Sequence, residues 1–463
     1  MRLHRRNKPF FRLGNWLLLA AEGAVIGAGA ALVVGAFRLI HDSAFPVLLN
    51  WFASAREHWW IPALWGLVLV GMARLLGGLV RAVPLISGSG IPQTELVVAG
   101  RLHLSRMDWL RVLAARFTGC GLSCLSGLSL GMGGPGIQLG AAVASLTGAL
   151  WEHISFAGHA HIAAGAAAGM SAAFGAPLAG LVFVFEEMKT RFTWGGFALT
   201  LAAAFSAQAV VSHVFGFGRI FPFQDLREPD CFRLWTALLF GVLLGGLGYL
   251  YNRALLWLKD SEARHSPLPQ RWRILPPMML AWALAFLCPP ALGGGDHLIH
   301  SLGAGAGDLA LPLLLGLCLV KALFSLISTT GNAPGGVLMP ILCVGAALGA
   351  LAARILLDAH LTAADTAGSF VVFGMAGFFS AVLRAPLTGI ALVLDMTGAA
   401  ACLPGALLTG FTANLTAAAL KCPPLFASLR AAIVVSRPRR APAGNSQPDQ
   451  GQSHEAVDKS SRH

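Results

Sequence analysis

A chain of 463 residues in which 56% of side chains are hydrophobic and only 12% are charged reads as a polytopic membrane protein, because a soluble chain would carry roughly twice that charged share. The formal net charge of +12 could suit a nucleic-acid partner, but the basic residues crowd the two ends, at Arg2, Arg5, Arg6, Lys8 and Arg12 and again at Arg430, Arg437, Arg439 and Arg440. That placement argues against nucleic acid and, by the positive-inside rule, puts both termini in the cytoplasm.

In chain order, a basic cytoplasmic stretch (1–14) leads into an apolar segment near 15–39. Its run from Trp16 to Phe37 is long enough to span, and no small-residue cleavage site followed by polar sequence marks it as a signal. A second segment lies near 60–81, followed by the turn Gly88-Ser89-Gly90-Ile91-Pro92. The segment near 109–130 carries Arg116 together with Cys120 and Cys124, one helical turn apart and read as core. Most of the eight cysteines lie in apolar stretches, without the spacings of a zinc site or a disulfide framework.

The break Gly131-Met132-Gly133-Gly134-Pro135 then opens a segment near 135–150, and two short ones follow near 159–173 and 176–188. A longer segment near 194–215 closes a first unit (15–216), and 217–231 is a linker. Segments near 232–257, 273–289 and 308–329 precede a third break, Gly335-Gly336-Val337-Leu338-Met339-Pro340. Beyond it come 337–355, 367–383, 386–398, 402–419 and 423–434, which complete a second unit (232–434). The tail from 435 to 463, rich in Pro, Ser and Gln, is expected to be disordered and cytoplasmic.

The two units repeat one another. Gly165 to Val184 reads GAAAGMSAAFGAPLAGLVFV, and Gly374 to Val393 reads GMAGFFSAVLRAPLTGIALV, so Ala176-Pro177-Leu178 matches Ala385-Pro386-Leu387 without a gap. The following acids correspond as well, Glu186 with Asp395, and Pro135 upstream answers Pro340. Several segments are shorter than the roughly 20 residues that cross a bilayer, so they are half-helices whose ends meet inside it. Irregular backbone at membrane depth is tolerated only where it is buried or lines a polar cavity. Three glycine breaks that expose helix N-termini therefore imply an anion site.

In combination and order, the breaks GSGIP, GxxGP and GGVLMP, the two Ala-Pro-Leu-x-Gly segments and Pro424-Leu425-Phe426-Ala427-Ser428 resemble the CLC family of chloride channels and chloride/proton antiporters, over about 15 to 434. The short C-terminus is similar to that of bacterial members of the ClcB type. The resemblance implies an all-α fold of two inverted-topology repeats of tilted and broken helices. It also implies a homodimer with one pore per subunit in the bacterial inner membrane, whose contact surfaces are the apolar faces of 176–188, 194–215, 386–398 and 402–419. Chloride is the implied ligand, lipid the surroundings, and neither cofactor nor metal is expected.

By the same resemblance, the Ser89 hydroxyl and the amides of Val337 and Leu338 hold a central chloride. Gly133 and Gly134 offer free backbone N–H groups, and Phe426 stands where relatives have a tyrosine, keeping the aromatic wall but not the donor. Gly133 is the main departure: many relatives carry a glutamate here that seats in the outer chloride site and couples it to protons. Without that carboxylate, passive permeation is expected, the alternative being antiport through another acid, with Glu95 and Glu22 as candidates. Glu187 matches a proton-relay position, and Glu186 and Glu187 are expected to be relay or structural acids. Arg116 matches a position that lends positive potential to the pore, while Arg384 is expected to snorkel. His153, His159 and His161 read as a solvated loop cluster. An intramembrane enzyme, the remaining class, would need a nucleophile–base or metal set that is absent.

Overall fold

The computed structural model describes residues 13–54, 58, 60–148, 159–223, 226, 234–305, 309–361 and 366–435. The basic N-terminal residues, His153, residues 224, 225 and 227–231 of the linker and the C-terminal tail from 436 lie outside the described residues. Among the described residues there are seventeen α-helices and no strand. The first eight are α1 (Leu13–Ser54), α2 (Trp60–Ala82), α3 (Ile91–Val98), α4 (Arg106–Leu125), α5 (Gly133–Thr147), α6 (Ala160–Phe174), α7 (Pro177–Glu186) and α8 (Trp194–Val214). The second eight are α9 (Leu234–His265), α10 (Leu275–Leu287), α11 (Asp296–Ala304), α12 (Leu311–Thr330), α13 (Leu338–Asp358), α14 (Ala367–Leu383), α15 (Pro386–Thr397) and α16 (Leu403–Ala419), and α17 (Leu425–Val435) ends the fold.

Six of these, α1, α2, α8, α9, α12 and α13, are long and apolar enough to cross a membrane. α1 runs well past the expected 15–39, with Pro46 inside it. Two helices, α3 and α11, fall outside every expected apolar segment. Both begin after a glycine in the left-handed region, Gly90 (φ 86°) and Gly295 (φ 104°). Left-handed backbone is cheap only for glycine.

The halves correspond helix by helix, α1–α8 with α9–α16. α5 packs on α6 as α13 packs on α14, and α1 packs on α8 as α9 packs on α16. Both central pairs use a glycine seam. A Cβ on Gly140 would strike the Gly165 carbonyl, and one on Gly345 would lie 2.5 Å from the Gly374 carbonyl. Small residues at such seams let helix backbones approach closely where the hydrophobic effect supplies no drive between helices.

The short helices end in one way in both halves. α6 stops at Gly175 (φ 64°, ψ 31°) and α14 at Arg384 (φ 65°, ψ 33°). The next residues, Ala176 (φ −127°) and Ala385 (φ −128°), turn the chain into prolines that start α7 and α15. Proline suits a first helical turn, where its missing N–H costs nothing.

α7 and α15 lie side by side and antiparallel, each capped by the other repeat. Glu186 accepts hydrogen bonds from the Leu387 amide (3.0 Å), the Thr388 amide (2.6 Å) and Thr388 Oγ1 (2.7 Å). Asp395 accepts from the amides of Leu178 (2.8 Å) and Ala179 (3.1 Å). Neither N-terminus has a capping side chain of its own. The remote carboxylates thus satisfy orphan N–H groups and complement the helix dipole.

Candidate anion site

Three loops meet at the centre. Gly131 and Gly336 exchange backbone hydrogen bonds, Gly131 N to Gly336 O at 2.8 Å and Gly336 N to Gly131 O at 2.7 Å, tying the start of α5 to the start of α13. The turn before α3 joins them, since Gly335 N donates to Gly88 O (3.2 Å) and Gly88 N donates to Asn332 O (3.3 Å). One break from each half and the GSGIP turn are therefore held as one unit.

Ser89 is buried here, its Oγ accepting from the Ile91 amide at 3.3 Å. A Cβ on Gly134 would fall on the Ser89 carbonyl oxygen and 2.9 Å from Ser89 Oγ, so α5 begins in direct contact with this turn. No side chain caps α5 or α13, and first-turn N–H groups have no intrahelical acceptor. The amides of Gly133, Gly134, Val337 and Leu338 sit at these two helix starts, with Met132, Pro135, Met339 and Pro340 buried around them. α17 packs against α3 and α14 and buries Phe426. A cluster of N–H groups, one hydroxyl and apolar walls can hold a small anion without a formal positive charge.

Arg116 is fully buried and grips the GSGIP turn: Nε donates to Gln138 Oε1 (2.5 Å), Nη1 to Gly88 O (2.6 Å) and Nη2 to Leu85 O (3.4 Å). Its repeat-mate Lys321 does the same before α11, donating from Nζ to Ala291 O (2.9 Å) and Gly293 O (2.7 Å). Arg116 is thus a clamp on the loop as well as a nearby positive charge.

A residue that sequence reasoning passed over stands against Gly133. The Phe174 ring at the end of α6 is fully buried and fills the space beside Gly133, where an added Cβ would overlap the ring edge and stand 3.2 Å from Leu338 Cδ1. Phe174 lies inside the quoted repeat, but its counterpart there is Leu383, so the repeat itself gave no signal.

The acids separate into roles. Glu186 caps α15, as described. Glu187 is buried, and Glu95, buried on α3, pairs with Arg430 of α17 (Nη1 to Oε2, 2.9 Å). Arg430, counted from sequence among the terminal charges, is therefore an internal partner. It also lines a cavity of about 630 Å³ with Arg101, Lys189, Arg191 and His159, a basic surface able to concentrate anions. Glu22 pairs with His161. That corrects the solvated histidine cluster: His161 packs on α6 against α1, while His159 remains exposed at the cavity. Arg384 is likewise tied down, Nε donating to Asn414 Oδ1 at 2.8 Å, and does not snorkel.

Comparison with known proteins agrees with this layout. A family model described as voltage gated chloride channel matches residues 71–418. The H(+)/Cl(-) exchange transporter ClcA of Klebsiella pneumoniae subsp. pneumoniae is 33% identical over 423 residues, covering 86% of this chain and 87% of that protein. Its namesake from Salmonella paratyphi C is 32% identical over 453 residues, covering 91% and 92%. Among solved structures, a slow cyanobacterial Cl-/H+ antiporter is similar with a TM-score of 0.84 at 26% identity, over 90% of this chain and 98% of that one. A eukaryotic CLC transporter shares the fold, with a TM-score of 0.74 at 23% identity over 90% and 74%. Most of these relatives are named as proton exchangers, which weighs for antiport and against the passive mode expected from Gly133.

Proposed function

The chain belongs to the CLC family, and from that premise we propose that it carries chloride across the bacterial inner membrane through the cradle formed by the three glycine loops. The observation that carries this reading is the joining of the loops at Gly131–Gly336 and Gly88–Gly335, which brings the starts of α3, α5 and α13 together. Several partial charges replace a hydration shell without the tight grip of a lysine or arginine, so the ion can leave again. Both termini face the cytoplasm, and the subunits pair through apolar faces that include Leu178 (49% exposed) and its repeat-mate Leu387 (50% exposed).

Transport is uncoupled from protons in this reading. Position 133 has no side chain, and the Phe174 ring takes the room one would need. A second reading, chloride/proton exchange through another acid, is favoured by the names of the relatives and by the buried carboxylates Glu95 and Glu187. Purified protein in liposomes, recorded simultaneously for chloride efflux and internal pH, separates the two. The expected result is chloride release with no proton movement. Uphill proton transport driven by a chloride gradient would establish exchange, and absence of chloride release would defeat both.

A further inference from the structure

Between the far half of α1 and the start of α11 lies a second cavity, of about 320 Å³, whose wall also carries Met132, the residue before Gly133. It is the repeat-mate of the cradle's own corner. α11 corresponds to α3, its glycine turn 293–295 corresponds to the turn at Gly88–Gly90, and Lys321 grips it as Arg116 grips the other.

Arg38, only 6% exposed, lines this cavity. Its Nε is 3.4 Å from Asp42 Oδ2 and its guanidinium stacks 4.3 Å from the Phe217 ring centre. Arg38 Nη1 remains buried with no hydrogen-bond partner among the described residues. A buried charged donor left unpaired carries a substantial desolvation penalty, which an anion in the cavity would relieve. Beside it, His41 Nδ1 is 3.3 Å from Asp42 Oδ1 and His41 Nε2 is 3.9 Å from Asp296 Oδ2.

The groups facing His41 are Arg38 and Asp42 from its own helix and Asp296, His297 and His300 from α11. Cys124 of α4 also lines the cavity, and Lys321 of α12 and Cys343 of α13 act on Asp296 from behind. Of the charges that line the cavity, Arg38 offsets one of the two carboxylates and a proton on His41 offsets the other, while Lys321 adds a positive charge from behind the wall.

We propose that this cavity is a second site for a small monovalent anion, held by Arg38 and filled when His41 is protonated. It rests on the transport reading only in being an antechamber to the cradle. The anion enters together with a proton taken up by His41, and a rise in pH discharges both.

The test locates bromide by its anomalous signal in crystals of the full chain at about pH 5.5 and about pH 8, on either side of the ordinary histidine range. Bromide is expected in the cradle at both pH values and in the cavity only at the lower. Arg38→Gln should weaken bromide binding in the cavity about tenfold and leave the cradle peak. His41→Asn should diminish the pH dependence of the cavity peak, which keeps the test decisive if Arg38→Gln misfolds. A cradle peak with an empty cavity at both pH values overturns the proposal alone, as does a cavity peak indifferent to pH or to both variants. A cavity peak without a cradle peak upholds it and defeats the transport reading, and no peak at either place overturns both.

Discussion

Restoring a carboxylate at position 133 tests the cradle most directly. A Cβ there would overlap the edge of the Phe174 ring and stand 3.2 Å from Leu338 Cδ1, so the ring must move aside by about 1.5 Å to regain ordinary contact. Overpacking of this kind costs about 1–3 kcal/mol. The Glu side chain of Gly133→Glu would then reach the amides otherwise open to chloride. Hydrogen bonds to a charged acceptor are worth about 1.5–3 kcal/mol, so a tethered carboxylate outcompetes a free ion and chloride efflux should fall about tenfold to a hundredfold. Efflux from liposomes is measured against wild type at about pH 7.5 and about pH 4.5. The carboxylate blocks while ionised and releases once protonated, so Gly133→Glu should recover as pH falls through its pKa. Gly133→Gln, which cannot titrate, should respond to pH only as wild type does. Combining Gly133→Glu with Phe174→Ala removes the crowding and keeps the charge, so the block should persist at neutral pH. Wild-type efflux from Gly133→Glu at neutral pH, or relief by Phe174→Ala there, would refute the electrostatic reasoning.

Ser89→Ala removes one donor and should weaken chloride binding about fivefold, read by calorimetric titration in detergent. Arg116→Met leaves Gln138 Oε1 without its buried donor, while the Gly88 carbonyl keeps the Gly335 amide and the Leu85 carbonyl keeps Gln138 Nε2, so thermal unfolding should come earlier by about 1–3 kcal/mol of stability and efflux should fall as the loop loosens. Glu186→Ala uncaps α15 and should cost about 1–2 kcal/mol, seen as a lower melting temperature. Asp395→Ala, its mirror in the other half, should cost a similar amount. Efflux per folded subunit should stay near wild type in both capping variants.

The parts of the fold legible in sequence were those written in glycine and proline. Ala176-Pro177 and Ala385-Pro386 announced the two breaks because proline and the residue before it restrict the backbone wherever they stand. Ser89, Gly133 and Leu338 were singled out instead by the motifs that resemble the CLC family. α3 stayed hidden since Gln93, Thr94 and Glu95 interrupt its apolar pattern; all are buried in protein rather than lipid, so hydropathy had no claim on them. α1 looked too short because His41 and Asp42 break its run, yet these residues line a cavity. Glu186 and Asp395 could be matched as repeat-mates, but that each caps the other's helix depends on contacts more than 200 residues apart in sequence, such as Thr388 with Glu186. Phe174 beside Gly133 and Arg430 beside Glu95 are equally products of the folded arrangement.

The crossed carboxylates on α7 and α15 make each repeat's short helix depend on an acid encoded in the opposite copy. Damage to either acid is consequently felt on the other side of the pseudo-twofold, and neither copy completes its own backbone pairing alone. Whatever independence the duplicated ancestor had, this arrangement has exchanged it for mutual obligation at the seam.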